Sequence, residues 1–218
     1  MPILFPRSSK AKESKMPRSP KKGIRRAICR TDALTGAAKK AGPRQLKKKI
    51  IRRVSVLGSG KVRENDPVYQ QAVRLGQALA QEGFTVFHGG FGGVMEAVAK
   101  GSRKVKGRNI GVTIRGASKK ANPLVDAEIK MPCWQSRLFK LVERGDAYVF
   151  LDGATGTLTE LFVILEMTNR RLLKKPIIIL GKKLGSLLNV LKKDPHFDLP
   201  RQLVFASSIF QAVRYLKQ

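Results

Sequence analysis

Acidic residues are scarce in this sequence: 15 Asp and Glu stand against 44 Lys and Arg in 218 residues, a formal net charge of +29. Such an imbalance points to an anionic partner, whether nucleic acid, anionic lipid or a phosphorylated molecule. Cysteine is nearly missing too. Cys29 and Cys133 are too few for a disulfide scaffold and form no spaced ligand cluster, so no metal is expected; no residue pattern singles out a cofactor site, and none is expected. Apolar runs are short and interrupted, which excludes a membrane span. Aromatics make up 6% of the chain, with no RNP-like pattern that would stack bases. What remains is 42% apolar, enough for a real core in one domain.

The charge is uneven. Residues 1–53 hold 18 Lys and Arg against Glu13 and Asp32, with Pro2, Pro6, Pro17, Pro20 and Pro43 and no sustained apolar period. Residues 1–48 are therefore expected to be a disordered basic arm, and residues 49–218 the folded domain. Three uses of the arm stay open: a non-specific polyanion contact or none, a cleaved transit peptide, and a specific nucleic-acid contact. Two unpaired cysteines favour the cytoplasm, with an organelle interior as the alternative if the arm is a transit peptide.

From residue 50 onward strands and helices alternate. Branched residues at 51–57 predict a strand ending in Gly58-Ser59-Gly60. Asp66-Pro67 predicts a capped helix start, and Val68, Ala72, Leu75 and Leu79 recur at helical spacing until Gly83. Further strands are predicted at 84–87, 110–114, 147–151, 176–180 and about 203–206. Helices are predicted at 94–102, 134–145, 156–169, 185–192 and 208–217. This alternation predicts a Rossmann-like three-layer α/β sandwich around a central parallel sheet.

Ligands of such sheets bind beyond the carboxyl ends of the strands. Three glycine-bearing turns fall there: Gly58 to Gly60, Gly89 to Gly93, and Asp152 to Thr157. Glycine lets backbone N–H groups approach a phosphate, and the following helix N-terminus favours negative charge. Tight strand-to-helix turns also need glycine for their own sake. The spacing is not G-x-G-x-x-G, since Arg63 stands where the third glycine belongs, and no Walker motif occurs. A mononucleotide or sugar phosphate fits better than a dinucleotide or ATP.

Two stretches then show a family resemblance. His88-Gly89-Gly90-Phe91-Gly92-Gly93-Val94-Met95-Glu96-Ala97 resembles the GGGxGxMEA phosphate turn of the LOG (Lonely Guy) family, formerly labelled lysine-decarboxylase-like. Asp152-Gly153-Ala154-Thr155-Gly156-Thr157-Leu158-Thr159-Glu160 resembles its PGGxGTxxE signature, and Arg137 sits where the family has the arginine of an Arg-Lys pair. The match covers about residue 52 to the C-terminus.

The resemblance implies a phosphoribohydrolase, a hydrolase that cleaves the N-glycosidic bond of a nucleoside 5′-monophosphate such as AMP or a cytokinin riboside monophosphate. The products would be a free base and ribose 5-phosphate. It implies Glu160 and Arg137 as the catalytic pair. Gly58, Ser59, Gly89, Gly90, Gly92, Gly93, Gly153, Thr155, Gly156 and Thr157 would form the phosphate- and nucleotide-binding walls of a homodimeric enzyme. The chemistry suits a carboxylate, because N-glycoside cleavage builds positive charge on the ribose. Glu160 is expected on the first turn of its helix. Thr157-x-x-Glu160 is also a capping-box pattern.

Four positions depart from the family pattern: Asp152 replaces its proline, Ala154 a glycine, Phe91 a glycine and Leu138 the lysine. Lys140 lies one turn beyond Arg137 and could replace that cation. Met95 is expected in the core, and His88 and His196 receive no role. The alternative to hydrolysis is a non-hydrolytic nucleotide- or molybdenum-cofactor-binding protein of the same fold. A third possibility makes the domain a platform for nucleic-acid binding by the arm.

Overall fold

The computed structural model describes residues 51–118 and 120–218; the expected basic arm lies outside them. Seven strands form one parallel sheet: β1 (Arg53–Leu57), β2 (Thr85–His88), β3 (Asn109–Ile114), β4 (Ala127–Met131), β5 (Ala147–Phe150), β6 (Ile177–Ile179) and β7 (Leu203–Phe205). Their order is β4-β3-β2-β1-β5-β6-β7, so the winding direction reverses between β1 and β5. That reversal opens a crevice at the carboxyl ends of these two strands.

Helices α1 (Pro67–Gln81), α2 (Val94–Lys104) and α6 (Ile209–Leu216) cover one face of the sheet. Helices α3 (Trp134–Arg144), α4 (Thr155–Asn169) and α5 (Lys182–Leu191) cover the other. Alternation along the strands supplies both cores. Val54 and Val56 of β1 meet α1 and α2, whereas Leu57 meets the opposite layer; Val149 and Phe150 of β5 divide in the same way. Strand β6 is apolar throughout and fully buried, as its run of isoleucines predicts.

The predicted alternation holds, with local differences. Asp66 is the N-cap residue of α1, but its carboxylate accepts the Arg63 N–H (2.6 Å) and makes no bond to the helix. The first turn relies on Pro67, which has no N–H to satisfy. Gly83, with φ of 77°, takes the left-handed conformation just past α1. Strand β4 is absent from the sequence reading. Its residues alternate half-buried and exposed, as an edge strand's do, and lack the β-branched density that marks β1 or β6.

Candidate phosphate cleft

The three glycine turns meet at the β1–β5 reversal. Ser59 joins them: its N–H donates to Asp152 O (3.1 Å), and its carbonyl accepts from Val94 N (2.8 Å) at the start of α2. Its amide is therefore committed to the fold. Gly93 caps α2 with φ of 68°, and a Cβ there would lie 2.4 Å from Ser59 O. Asn122 ties down the second turn from the side, its amide donating to Gly90 O (3.2 Å) and Phe91 O (2.8 Å). His88 does so from below. Its Nδ1 accepts the Gly90 N–H (3.1 Å), leaving Nε2 to donate to Asn109 Oδ1 (3.1 Å). Full burial lowers His88 to a pKa of about 4, so the ring stays neutral and keeps this arrangement.

Between the turns lies a cleft of about 490 Å3, open to solvent. Of the residues singled out in the sequence, Gly58, Ser59, Gly89, Gly92, Thr155, Gly156, Thr157, Arg137 and Glu160 line it. Gly90, Gly93 and Gly153 do not. The first two hold turns together, and Gly153 lies beneath the Thr157 side chain, whose Oγ1 would be 2.1 Å from an added Cβ. Lys61 and Met95 line the cleft without having been singled out for it. Met95, expected in the core, is half-buried with its Sδ 3.9 Å from Arg137 Nη2.

Helix α4 begins one residue earlier than predicted, with Ala154 as N-cap and no side-chain cap. Thr157 is thus its third residue and Glu160 its sixth, on the second turn and not the first. A capping box centred on Thr157 does not form. The unpaired N–H groups of the first turn face the cleft together with Gly156, around whose Cα a Cβ would meet nothing within 4 Å. An open, uncapped helix start of this kind favours an anion.

Arg137 reaches the cleft from α3 with only 10% of its side chain exposed. Nε donates to Val112 O (2.8 Å) and Nη2 to Gly89 O (3.1 Å), while the Phe91 ring lies 5.5 Å above the guanidinium. The missing side chain of Gly89 makes this possible, since a Cβ there would come within 1.9 Å of Nη2. Nη1 remains 3.8 Å from Glu160 Oε1. Burial pushes the Glu160 carboxyl up to about 7, against the opposing pull of Arg137. Burial also lowers Arg137, so desolvation outweighs the attraction on both sides of this pair.

The four departures take defined places. Asp152 points away from the cleft, its Oδ1 accepting the Leu184 N–H (2.9 Å) on the first turn of α5. Ala154 lines the cleft mouth in an extended conformation that tolerates its Cβ. Phe91 spreads over Arg137. Leu138 is buried in the core with Leu141 and Val142, and Lys140 pairs with Glu143 (2.7 Å), so neither supplies a second cation to the cleft.

Topology and cleft together define a LOG-like α/β domain with a glycine-lined crevice at its winding reversal. The profile of the SLOG cluster4 family matches residues 51–205, and the chain belongs to that family. An uncharacterised protein of Archaeoglobus fulgidus is 31% identical over 134 residues, spanning 61% of this chain and 87% of its own. A crystallographic structural-genomics target is 28% identical with a TM-score of 0.65, covering 77% of this chain and 99% of its own. The molybdenum cofactor binding protein of Rippkaea orientalis is 26% identical with a TM-score of 0.63, covering 77% and 96%.

Proposed function

We propose that the cleft binds a phosphorylated, nucleotide-like small molecule and carries it without hydrolysis, as a nucleoside monophosphate or a phosphorylated pterin of the molybdenum-cofactor type. The observation that carries this reading is the state of the cations. Arg137 is bonded to two backbone carbonyls and covered by Phe91, and the position of the second cation is a core leucine. The phosphate would sit on the uncapped start of α4 at Thr155, Gly156 and Thr157, with Lys61 at the rim. The remaining volume, in the usual range for small-molecule sites, suits a flat bicyclic ring beside Phe91 and Met95. The structural likeness to a molybdenum cofactor binding protein supports the same choice. In this reading the cofactor is cargo, and the site residues act on its phosphate and ring.

A specific observation favours a second reading. Glu160, raised to about 7, stands in the cleft beside Arg137. Half-ionised at neutral pH, it could stabilise a ribosyl cation or give a proton to a departing base. The activity would then be phosphoribohydrolase action on AMP or a cytokinin riboside monophosphate.

One experiment decides. Purified protein is titrated with AMP, an N6-substituted AMP and a phosphorylated pterin by calorimetry, and the same mixtures are chromatographed for free base. Binding without base is expected; release of base moves the protein to the hydrolase reading. Gly156→Ala is expected to weaken binding at least tenfold while leaving thermal stability equal or higher, because its Cβ fills ligand space in a helix that otherwise gains from Ala.

The same reading includes a homodimer. An apolar groove of about 630 Å3 on α3 and α4, lined by Phe139, Leu158, Phe162, Val163 and Met167, shares Thr155 with the cleft. Among the described residues no helix is long and apolar enough to cross a membrane. Cytoplasmic residence belongs to the proposal.

A further inference from the structure

In a parallel sheet linked by helices, helix-to-strand connections gather at the amino ends of the strands and strand-to-helix connections at the carboxyl ends. At the amino edge, segments 51–52, 82–84, 105–108, 145–146, 170–176, 192–202 and 217–218 hold eleven Lys and Arg against four Asp and Glu. Around the cleft, segments 58–66, 89–93, 132–133, 151–154, 180–181 and 206–208 hold two against three. The β3–β4 connection crosses from one edge to the other. The basic excess of the connections therefore faces away from the small-molecule site.

Some of these cations have local work. Lys175 Nζ donates to Val142 O (2.7 Å) and Glu143 O (3.1 Å) at the end of α3, and Lys217 pairs with Glu82 (2.6 Å). Arg103, Arg144 and Arg214 lie in last helical turns, where the helix dipole favours them. Lys106, Arg108, Arg171, Lys174, Lys192 and Arg201 are exposed and have no ion pair among the described residues.

Their backbones are well anchored. Arg52 O and Arg108 O accept from Thr85 N (2.9 Å) and Val86 N (3.0 Å), so these two arginines flank the start of β2. Arg103, Lys106 and Arg108 surround a shallow groove of about 420 Å3 together with Asp126, which faces Arg103 at 3.8 Å and leaves Lys106 and Arg108 as its unpaired cations. Seven strands about 4.8 Å apart make this edge roughly 29 Å long. The chain enters β1 at the same edge.

We propose that the amino edge of the sheet is a docking surface for nucleic acid, held through the phosphodiester backbone without base readout. A row of exposed guanidinium and ammonium groups on an anchored sheet edge matches a chain of phosphates. Among the described residues no amphipathic helix lies along the edge to enter a lipid interface, which disfavours a membrane as the occupant. The surface is separate from the cleft and stands whether or not the cleft carries a nucleotide.

The test uses the full chain and a fluorescent mixed-sequence DNA duplex, with anisotropy followed across a salt series. Lys106→Glu, Arg108→Glu and Lys174→Glu combined should lower the slope of log affinity against log salt by about 3, near 0.9 per lost phosphate contact. A control set at the opposite edge, Arg115→Glu, Lys182→Glu and Lys183→Glu, should leave the slope within about one contact of wild type. Excess AMP should not displace the duplex. The milder set Lys106→Gln, Arg108→Gln and Lys174→Gln, checked by thermal melting, should give a smaller loss and guards against misfolding. Equal losses from the two edges, no loss from the amino edge, or edge-dependent binding of phosphatidylserine vesicles but not of duplex would each overturn the proposal.

Discussion

Glu160 concentrates the chemistry of the cleft in one titration. Its carboxyl is 14% exposed and held near a pKa of 7, whereas in the unfolded chain it titrates near its ordinary 4.5. Between those values the unfolded chain has lost a proton that the folded chain keeps, so stability falls as pH rises from about 4.5 to 7 and levels above. The full cost is about 3 kcal/mol. Glu160→Gln removes it, so the variant should gain melting temperature over wild type at pH 8 and gain much less at pH 5. An offset equal at both pH values would mean that Glu160 is already ionised in the neutral folded protein. If base release occurs at all, the same variant should abolish it while binding persists.

Single residues also show how far the sequence could be read. Arg137 was named only through the family resemblance, whereas the glycine turns and Glu160 were visible because each carries a local pattern. The neutral His88, the clasp of Asn122 and the hub at Ser59 were not, because their partners are distant in the chain: Asn122 reaches back to Phe91 and Ser59 forward to Asp152. Lys140 was misjudged for a related reason. Helical spacing puts it one turn from Arg137, but Glu143 lies equally near and captures it.

At the scale of elements, the alternation of strands and helices was legible because each buried strand has its own dense apolar run. Strand β4 was missed because, at the sheet edge, its sequence reads Ala-Glu-Ile-Lys-Met, and pairing with β3 decides its conformation. The start of α4 was misplaced by one residue, and with it the turn on which Glu160 stands. Asp152 links two elements whose connection no local motif reveals. It leaves β5 and caps the first turn of α5 through Leu184 N. Asp152→Ala should therefore destabilise the domain by about 1 kcal/mol in a denaturant titration, with ligand affinity unchanged. A loss of affinity without a loss of stability would place the carboxylate in the cleft instead.

For the whole molecule, two surfaces lie outside the cleft: an apolar one on α3 and α4 and a basic one at the far edge of the sheet. Phe139 is 51% exposed and Phe162 37%, and both line the apolar groove on α3 and α4. Phe139→Asp should shift the protein from dimer to monomer in sedimentation velocity with its melting curve little changed at high protein dilution. A wild-type monomer at micromolar concentration would remove the dimer from the reading.

The pairing of β1 with β5 also sets an order of events during synthesis. Arg53 and its partner Asp146 are 93 residues apart, as are Ser59 and Asp152. The strands β1 to β4 and helices α1 and α2 leave the ribosome first and can pack as they emerge. Until β5 follows, β1 keeps one open edge, and until α4 follows, the cleft lacks one wall and Arg137 has no carboxylate to face. A nascent or truncated chain that ends before residue 160 is therefore a sheet with half a pocket. The cleft is complete only after about three-quarters of the chain has been made.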